Sequence, residues 1–219
     1  MKKSLTFTAA LIISTVAVKA QSPRFGFNSG IAIANVAIKY DDEKEKADYR
    51  IGLNIGMMVD IPAGHNFSVQ PGINYVQKGL RQKETDGNYS MESNLLLNYL
   101  EIPLNLVYKA PVKKGHLFIG AGPSAGFALK GKARSTSSDG QYVDKEEYKI
   151  EIGNKDEDDL KPFELSLNIL GGYEFSSGIQ VAVNYNRSIN NLVPGDAGSA
   201  SFRNSYFGIK VGYLIRNRK

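Results

Sequence analysis

The feature that most constrains this chain is a period-two alternation of apolar with small or polar residues, repeated along most of its length. In Leu100-Glu101-Ile102-Pro103-Leu104-Asn105-Leu106 the even positions are large and apolar. Phe163-Glu164-Leu165-Ser166-Leu167-Asn168-Ile169 repeats the pattern, as do the segments opening at Ile51, Ile179 and Phe207. A strand sends successive side chains to opposite faces, so each segment makes one apolar face and one face of Gly, Asn, Ser, Gln and occasional charges. Eight such strands are expected, near residues 25–38, 49–60, 66–80, 95–109, 116–130, 162–175, 178–189 and 203–215. Most are long enough to cross a bilayer when tilted.

The connections sort by length. Residues 61–65, 110–115 and 176–177 are short, with Pro62, Gly64, Pro111 and Gly115 as punctuation, whereas 39–48, 81–94, 131–161 and 190–202 are long, polar and charged. Short turns on one side and long loops on the other are the habit of outer-membrane barrels. A second face rich in Gly and Asn suits the cramped interior of a narrow closed sheet, and the 22 glycines fit the same picture. The expected fold is therefore all-β, an eight-stranded antiparallel up-and-down transmembrane β-barrel in the bacterial outer membrane. Periodicity alone does not say which face is inside. A soluble lipocalin-like barrel around an apolar ligand is the architectural alternative. Tyr40, Tyr49, Phe67, Tyr75, Tyr108, Phe163, Phe175 and Tyr185 fall near expected strand ends, where interfacial girdles form.

The start of the chain reads as a secretory leader. Lys2 and Lys3 precede an apolar stretch over 5–18, and Val18-Lys19-Ala20 supplies small residues at a cleavage site that would leave Gln21 first. The expected organisation is a signal peptide over 1–20 and one barrel domain over 21–219. Losing Lys2, Lys3 and Lys19 lowers the formal charge from +5 to about +2, too little to argue for nucleic acid. With no cysteine, disulfides, thiolate metal sites and a lipidated N-terminal cysteine are excluded. Mean hydropathy is −0.27, as expected where lipid-facing and lumen-facing residues alternate.

Asn98-Tyr99-Leu100-Glu101-Ile102-Pro103-Leu104 resembles the YLEIPL segment of the PorT-like outer-membrane β-barrel proteins of the Bacteroidetes. Gly120-Ala121-Gly122-Pro123 is similar to that family's G-x-GP segment, residues 181–191 to its penultimate strand and 204–214 to its closing one. The resemblance covers essentially the whole mature chain and implies an eight-stranded membrane barrel, generally without an established activity. A few relatives serve protein secretion or gliding. The basic tail Arg216-Asn217-Arg218-Lys219 departs from barrels that end on an aromatic residue.

Little points to chemistry. Gly122-Pro123-Ser124-Ala125-Gly126 matches the G-x-S-x-G nucleophile pattern, but within an alternating strand where the motif needs a strand-to-helix turn. His65 and His116 both precede Ser124 and lie at turns. Asp156-Glu157-Asp158-Asp159 lacks the spacing and central glycine of a calcium loop and reads as a solvated acidic tip. No catalytic, cofactor-binding or metal-ligating residue is assigned, and no enzyme is expected. The constellation that stands out is luminal: Glu101, Glu164 and Lys210 fall on the polar face, where charges need partners. They are expected to form a network in which Lys210 bridges the carboxylates, with Tyr99 and Asn105 nearby. The expected role is that of a monomeric structural or interaction protein. Its partners would be outer-membrane lipid and lipopolysaccharide, with a protein contact at the loop 131–161. Binding or transport of a small apolar solute or lipid, and membership of a secretion apparatus, are the alternatives.

Overall fold

The computed structural model describes residues 22–40, 43–45, 48–87, 89–139, 142–195 and 198–215; the expected leader and the basic tail lie outside them. Ten strands follow in order. They are β1 (Arg24–Tyr40), β2 (Glu43–Glu45), β3 (Arg50–Gly64), β4 (Phe67–Asp86), β5 (Tyr89–Val112), β6 (Gly115–Ser138), β7 (Val143–Ile150), β8 (Phe163–Phe175), β9 (Ile179–Ser188) and β10 (Ser201–Leu214). Eight of them, β1, β3, β4, β5, β6, β8, β9 and β10, pair antiparallel in chain order. The ring closes where β10 pairs with β1, from Gly26↔Leu214 to Lys39↔Ser201. Closure leaves no free edge within the ring, which a backbone in lipid requires.

Burial settles which face is inside. Ile119 is 63% exposed and Val183 57%, whereas Lys78 and Glu164 are 0% exposed. The apolar face therefore looks outward and the polar face fills the lumen, the reverse of a lipocalin-like barrel. Aromatic pairs line the outer wall. Phe67–Tyr108 and Tyr173–Phe175 sit by the short turns, with ring centroids 5.1 and 4.7 Å apart, and Phe127–Phe163 sits by the loop end of β8 at 5.7 Å. The narrow lumen depends on residues without side chains: a Cβ on Gly172 would lie 2.2 Å from the Val181 carbonyl oxygen and 2.6 Å from the Phe118 ring. Between β3 and β4, His65 and Asn66 both take positive φ (49° and 67°), the two-residue turn that matches strand twist.

Two expected loops are mostly strand. Residues 81–94 continue β4 and β5 into a tight hairpin, and much of 131–161 continues β6 and forms β7. Both faces of this extension are polar, so period-two alternation is missing from the sequence, while cross-strand hydrogen bonds and ion pairs sustain the strands. Gly79, with φ of +129°, marks the irregular step where the extension begins. The loop that follows β7 folds back over the lumen. Leu160 and Leu192 are buried with Leu97 and Tyr99, and Leu95, Ala128, Ile150 and Phe202 pack against them.

Candidate functional site: the lumen and the extracellular sheet

Alternation on β4, β5 and β8 directs Lys78, Glu101 and Glu164 to one level of the lumen. Lys78 Nζ lies 2.6 Å from Glu101 Oε1 and 2.6 Å from Glu164 Oε1, with all three side chains almost wholly buried. The remaining lone pairs find donors. Ser166 Oγ donates to Glu164 Oε1 at 2.7 Å, Asn204 Nδ2 to Glu164 Oε2 at 2.7 Å, and Tyr206 Oη to Glu101 Oε2 at 2.8 Å. Asn204 Nδ2 also reaches Tyr99 Oη at 3.3 Å. The ammonium lies 4.6 Å from the Tyr99 ring centroid and 5.5 Å from that of Tyr206, within range of cation–π attraction.

This arrangement corrects one expectation. Lys78, not Lys210, bridges the two carboxylates. Among the described residues Lys210 has no ion-pair partner, and it lines a cavity of about 50 Å³ that Glu101 also lines. Asn105 stands apart as well, accepting at Oδ1 a 2.9 Å bond from Asn168 Nδ2. Lys78 escapes sequence reading because Gln77-Lys78-Gly79-Leu80-Arg81 looks like the polar end of a strand, and the residues that share its inward face on either side, Val76 and Leu80, are apolar.

A second cluster, unforeseen from sequence, closes the end by the short turns. Asp60 accepts from Arg24 at 2.6 Å and from Lys109 at 2.8 Å, while Glu174 pairs with Lys109 at 3.0 Å and also with Arg24. Gln70 donates to Asp60 at 2.9 Å and Gln180 to Glu174 at 3.3 Å. Each residue lies near a strand end, where charge ordinarily meets solvent, so nothing in the local sequence marks them as partners. Among the described residues, the luminal cations Arg24, Lys78, Lys109 and Lys210 balance Asp60, Glu101, Glu164 and Glu174.

Between the clusters lies a polar chamber. Asn28, Asn74, Ser124, Asn186 and Lys210 line its cavity, which has room for a few waters and not for an open channel. Among the described residues, Asn28 Oδ1, Asn74 Oδ1, Ser124 Oγ and both amide atoms of Asn186 have no hydrogen-bond partner. Ser124 thus belongs to the chamber, while His65 and His116 line the mouth at the short-turn end with Arg24, Asp60 and Lys109. Ser124 and the two histidines therefore line different cavities.

At the other end, β4 to β7 continue as a four-stranded sheet beyond the ring. Its registers place Arg81, Asn94, Arg134 and Glu147 in one row and Lys83, Glu92, Thr136 and Lys145 in another. Arg81 pairs with Glu92 at 2.9 Å, and Glu147 takes Arg134 at 2.7 Å as well as Lys132. These two cations, Lys132 before Arg134, hold the Glu147 carboxyl at about 2. This basic face continues the lipid-facing wall. The opposite face continues the lumen through Leu97 and Ile150 and carries Glu84, Asp86, Asp144 and Glu146. The acidic tip is internally bonded: Asp158 Oδ2 accepts from the Lys155 amide at 2.7 Å and Asp159 Oδ2 from the Glu151 amide at 2.8 Å.

A closed ring of eight antiparallel strands, apolar outside and ion-paired inside, defines an integral β-barrel of the bacterial outer membrane. The chain belongs to the outer membrane protein beta-barrel domain family, whose pattern spans residues 19–193. Two solved structures share its course at a distance. Ail, the attachment invasion locus protein of Yersinia pestis, is 14% identical, over 89% of this chain and 99% of Ail, with a TM-score of 0.43. Neisserial surface protein A is 9% identical, over 88% of this chain and 99% of that protein, with a TM-score of 0.44. No curated protein matches the chain.

Proposed function

We propose that this barrel is a monomeric structural and interaction protein that holds a stiff β-sheet outside the cell, and that it is neither an enzyme nor an open channel. The observation that carries the reading is the length of β4, β5 and β6, at 20, 24 and 24 residues, against 10 for β9. About ten residues suffice to cross a bilayer, so the surplus stands outside, on the side of the long connections. There β7 pairs among the described residues with β6 alone, leaving a strand edge for an extended segment of a protein partner. The ion-paired clusters at both levels of the lumen speak against permeation.

The kinship to PorT-like barrels belongs to the same proposal, as does the leader over 1–20. The YLEIPL-like segment has a physical reading here: Tyr99 and Glu101 face the luminal cluster while Leu100, Ile102 and Leu104 face lipid. A place in a secretion apparatus would use the same sheet edge. A photo-crosslinking residue placed at Lys145 in growing cells should give a discrete protein adduct that disappears when Glu147→Pro breaks the edge. In planar bilayers the purified barrel should carry no steady current. A stable open conductance, or no adduct at β7 positions, would overturn the proposal.

A further inference from the structure

The described arginines divide into two groups. Arg24 pairs with Asp60 and Glu174, Arg81 with Glu92 and Arg134 with Glu147, and Arg50 donates to Asn94 Oδ1 at 3.0 Å. Arg187 and Arg203 have no such partner among the described residues, and both are exposed. An unpaired guanidinium is ordinary in a surface loop. These two stand on the outward face of transmembrane strands, where an unpaired charge is costly unless it meets a counter-ion.

Their positions fix the depth. Arg187 is the second-last residue of β9 and Arg203 the third of β10, both at the end away from the short turns, hence at the outer-leaflet boundary. Arg187 lies opposite Ser205 on β10 and Leu167 on β8, so Arg203 is one outward-facing step further along β10. The two arginines line a groove of about 330 Å³ together with Leu167 and Ile189 at their own level and Ile169 and Tyr185 one step deeper. No acidic side chain lines it.

We propose that this groove binds a phosphorylated glycolipid of the outer leaflet. A phosphate sits between Arg187 and Arg203, and an acyl chain runs down the apolar floor. A guanidinium offers a planar fork matched to phosphate oxygens. The Ile169 and Tyr185 surface one step deeper, flanked by Leu167 and Ile189, supplies apolar contact that a soluble anion would leave uncovered. The pairing of a two-arginine rim with a lipid-depth apolar groove selects a ligand that has phosphate and hydrocarbon in the same molecule. This site is independent of the extracellular sheet and of any protein partner.

The test uses the full mature chain, folded in detergent, with native mass spectrometry as the readout. Bisphosphorylated lipid A, its dephosphorylated counterpart and inorganic phosphate are the probes. Lipid A should bind as a discrete adduct. Its dissociation constant should rise about tenfold or more in R187Q/R203Q, the factor that losing one charge-assisted bond gives. R187K/R203K should fall between, since it keeps the charge without the fork. Heat-modifiable gel mobility checks that each variant is folded, which is expected because neither arginine has an internal partner. Equal lipid A binding by R187Q/R203Q would overturn the site. Equal binding of the dephosphorylated lipid, or displacement of lipid A by millimolar phosphate, would overturn the assignment of a phosphorylated lipid.

Discussion

Replacing Lys78 by Met removes the ammonium that Glu101 and Glu164 share while nearly conserving the side chain's length, so the change is electrostatic rather than steric. Two forces then compete. Burying Met in place of Lys removes a desolvation penalty, which alone would stabilise. Against this, two carboxylates at 2% and 0% exposure lose the charge that stands 2.6 Å from each. Breaking a buried pair by removing one partner costs about 3–5 kcal/mol, because the charge left behind has neither water nor a counter-ion. Here two charges are left behind, and the hydrogen bonds from Ser166, Asn204 and Tyr206 are aimed at them in their ionised form. The loss therefore wins, and Lys78→Met should destabilise the barrel by about 3–5 kcal/mol. Lys210→Met, which breaks no ion pair, should cost less than half as much. The triple variant Lys78→Met, Glu101→Gln, Glu164→Gln should recover most of the loss. Urea titration of the folded fraction in vesicles, read by gel mobility without boiling, gives each value by linear extrapolation. If Lys78→Met lies within about 0.5 kcal/mol of the wild type, or Lys210→Met proves the more damaging, the luminal assignment fails.

Three other outcomes follow from particular contacts. Glu147 is held at about 2 against an ordinary carboxyl value of 4.5, so its grip on β6 is at full strength above about pH 4.5 and is lost as the pH falls towards 2. Hydrogen exchange of the β7 amides should rise across that window, and at a higher pH in Lys132→Gln; a wild-type midpoint near 4.5 would refute this. Leu160→Ala empties a buried position over the lumen and should detach the loop over 151–162 while sparing the ring, so protease added to intact cells should cut there first; unchanged cleavage refutes the docking. Gly172→Ala would press a Cβ against the Val181 carbonyl oxygen and the Phe118 ring, costing about 1–3 kcal/mol in the same urea assay.

Sequence periodicity reached the ring because a bilayer outside and a polar lumen inside impose opposite chemistry on alternate residues. The eight strands of the ring coincide with the expected ones to within a few residues at most ends, and the corrections fall where that contrast disappears. In Glu84–Asp86 and Ser90–Ser93 both faces meet water, so nothing in the residues distinguishes a strand from a polar loop; only the pairing with β5 and β6 reveals it. Glu101 and Glu164 were legible because a carboxylate in an otherwise Leu- and Asn-bearing strand must point inward. Arg24, Asp60, Lys109 and Glu174 were not, because each lies near a strand end where charge ordinarily meets solvent, and Lys78 was not, because the polar residues around it read as the end of β4, which in fact continues to Asp86. The direction of the two faces, left open by the alternation, is decided by burial alone.

The luminal ion pairs also time the assembly of the barrel. Arg24 and Glu174 are 150 residues apart in the chain, and Lys78 and Glu164 are 86 apart. A sheet that has advanced only through β6 holds Arg24, Lys78 and Lys109 against Asp60 and Glu101 alone, so one positive charge is in excess and both lysines lack the second of their two carboxylates. An unmatched charge is costly in hydrocarbon; β8 brings Glu164 and Glu174, and Lys210 on β10 completes the balance where the β10–β1 seam closes. The same residues that plug the finished molecule therefore penalise a half-made one, and favour insertion only once the last third of the chain has arrived.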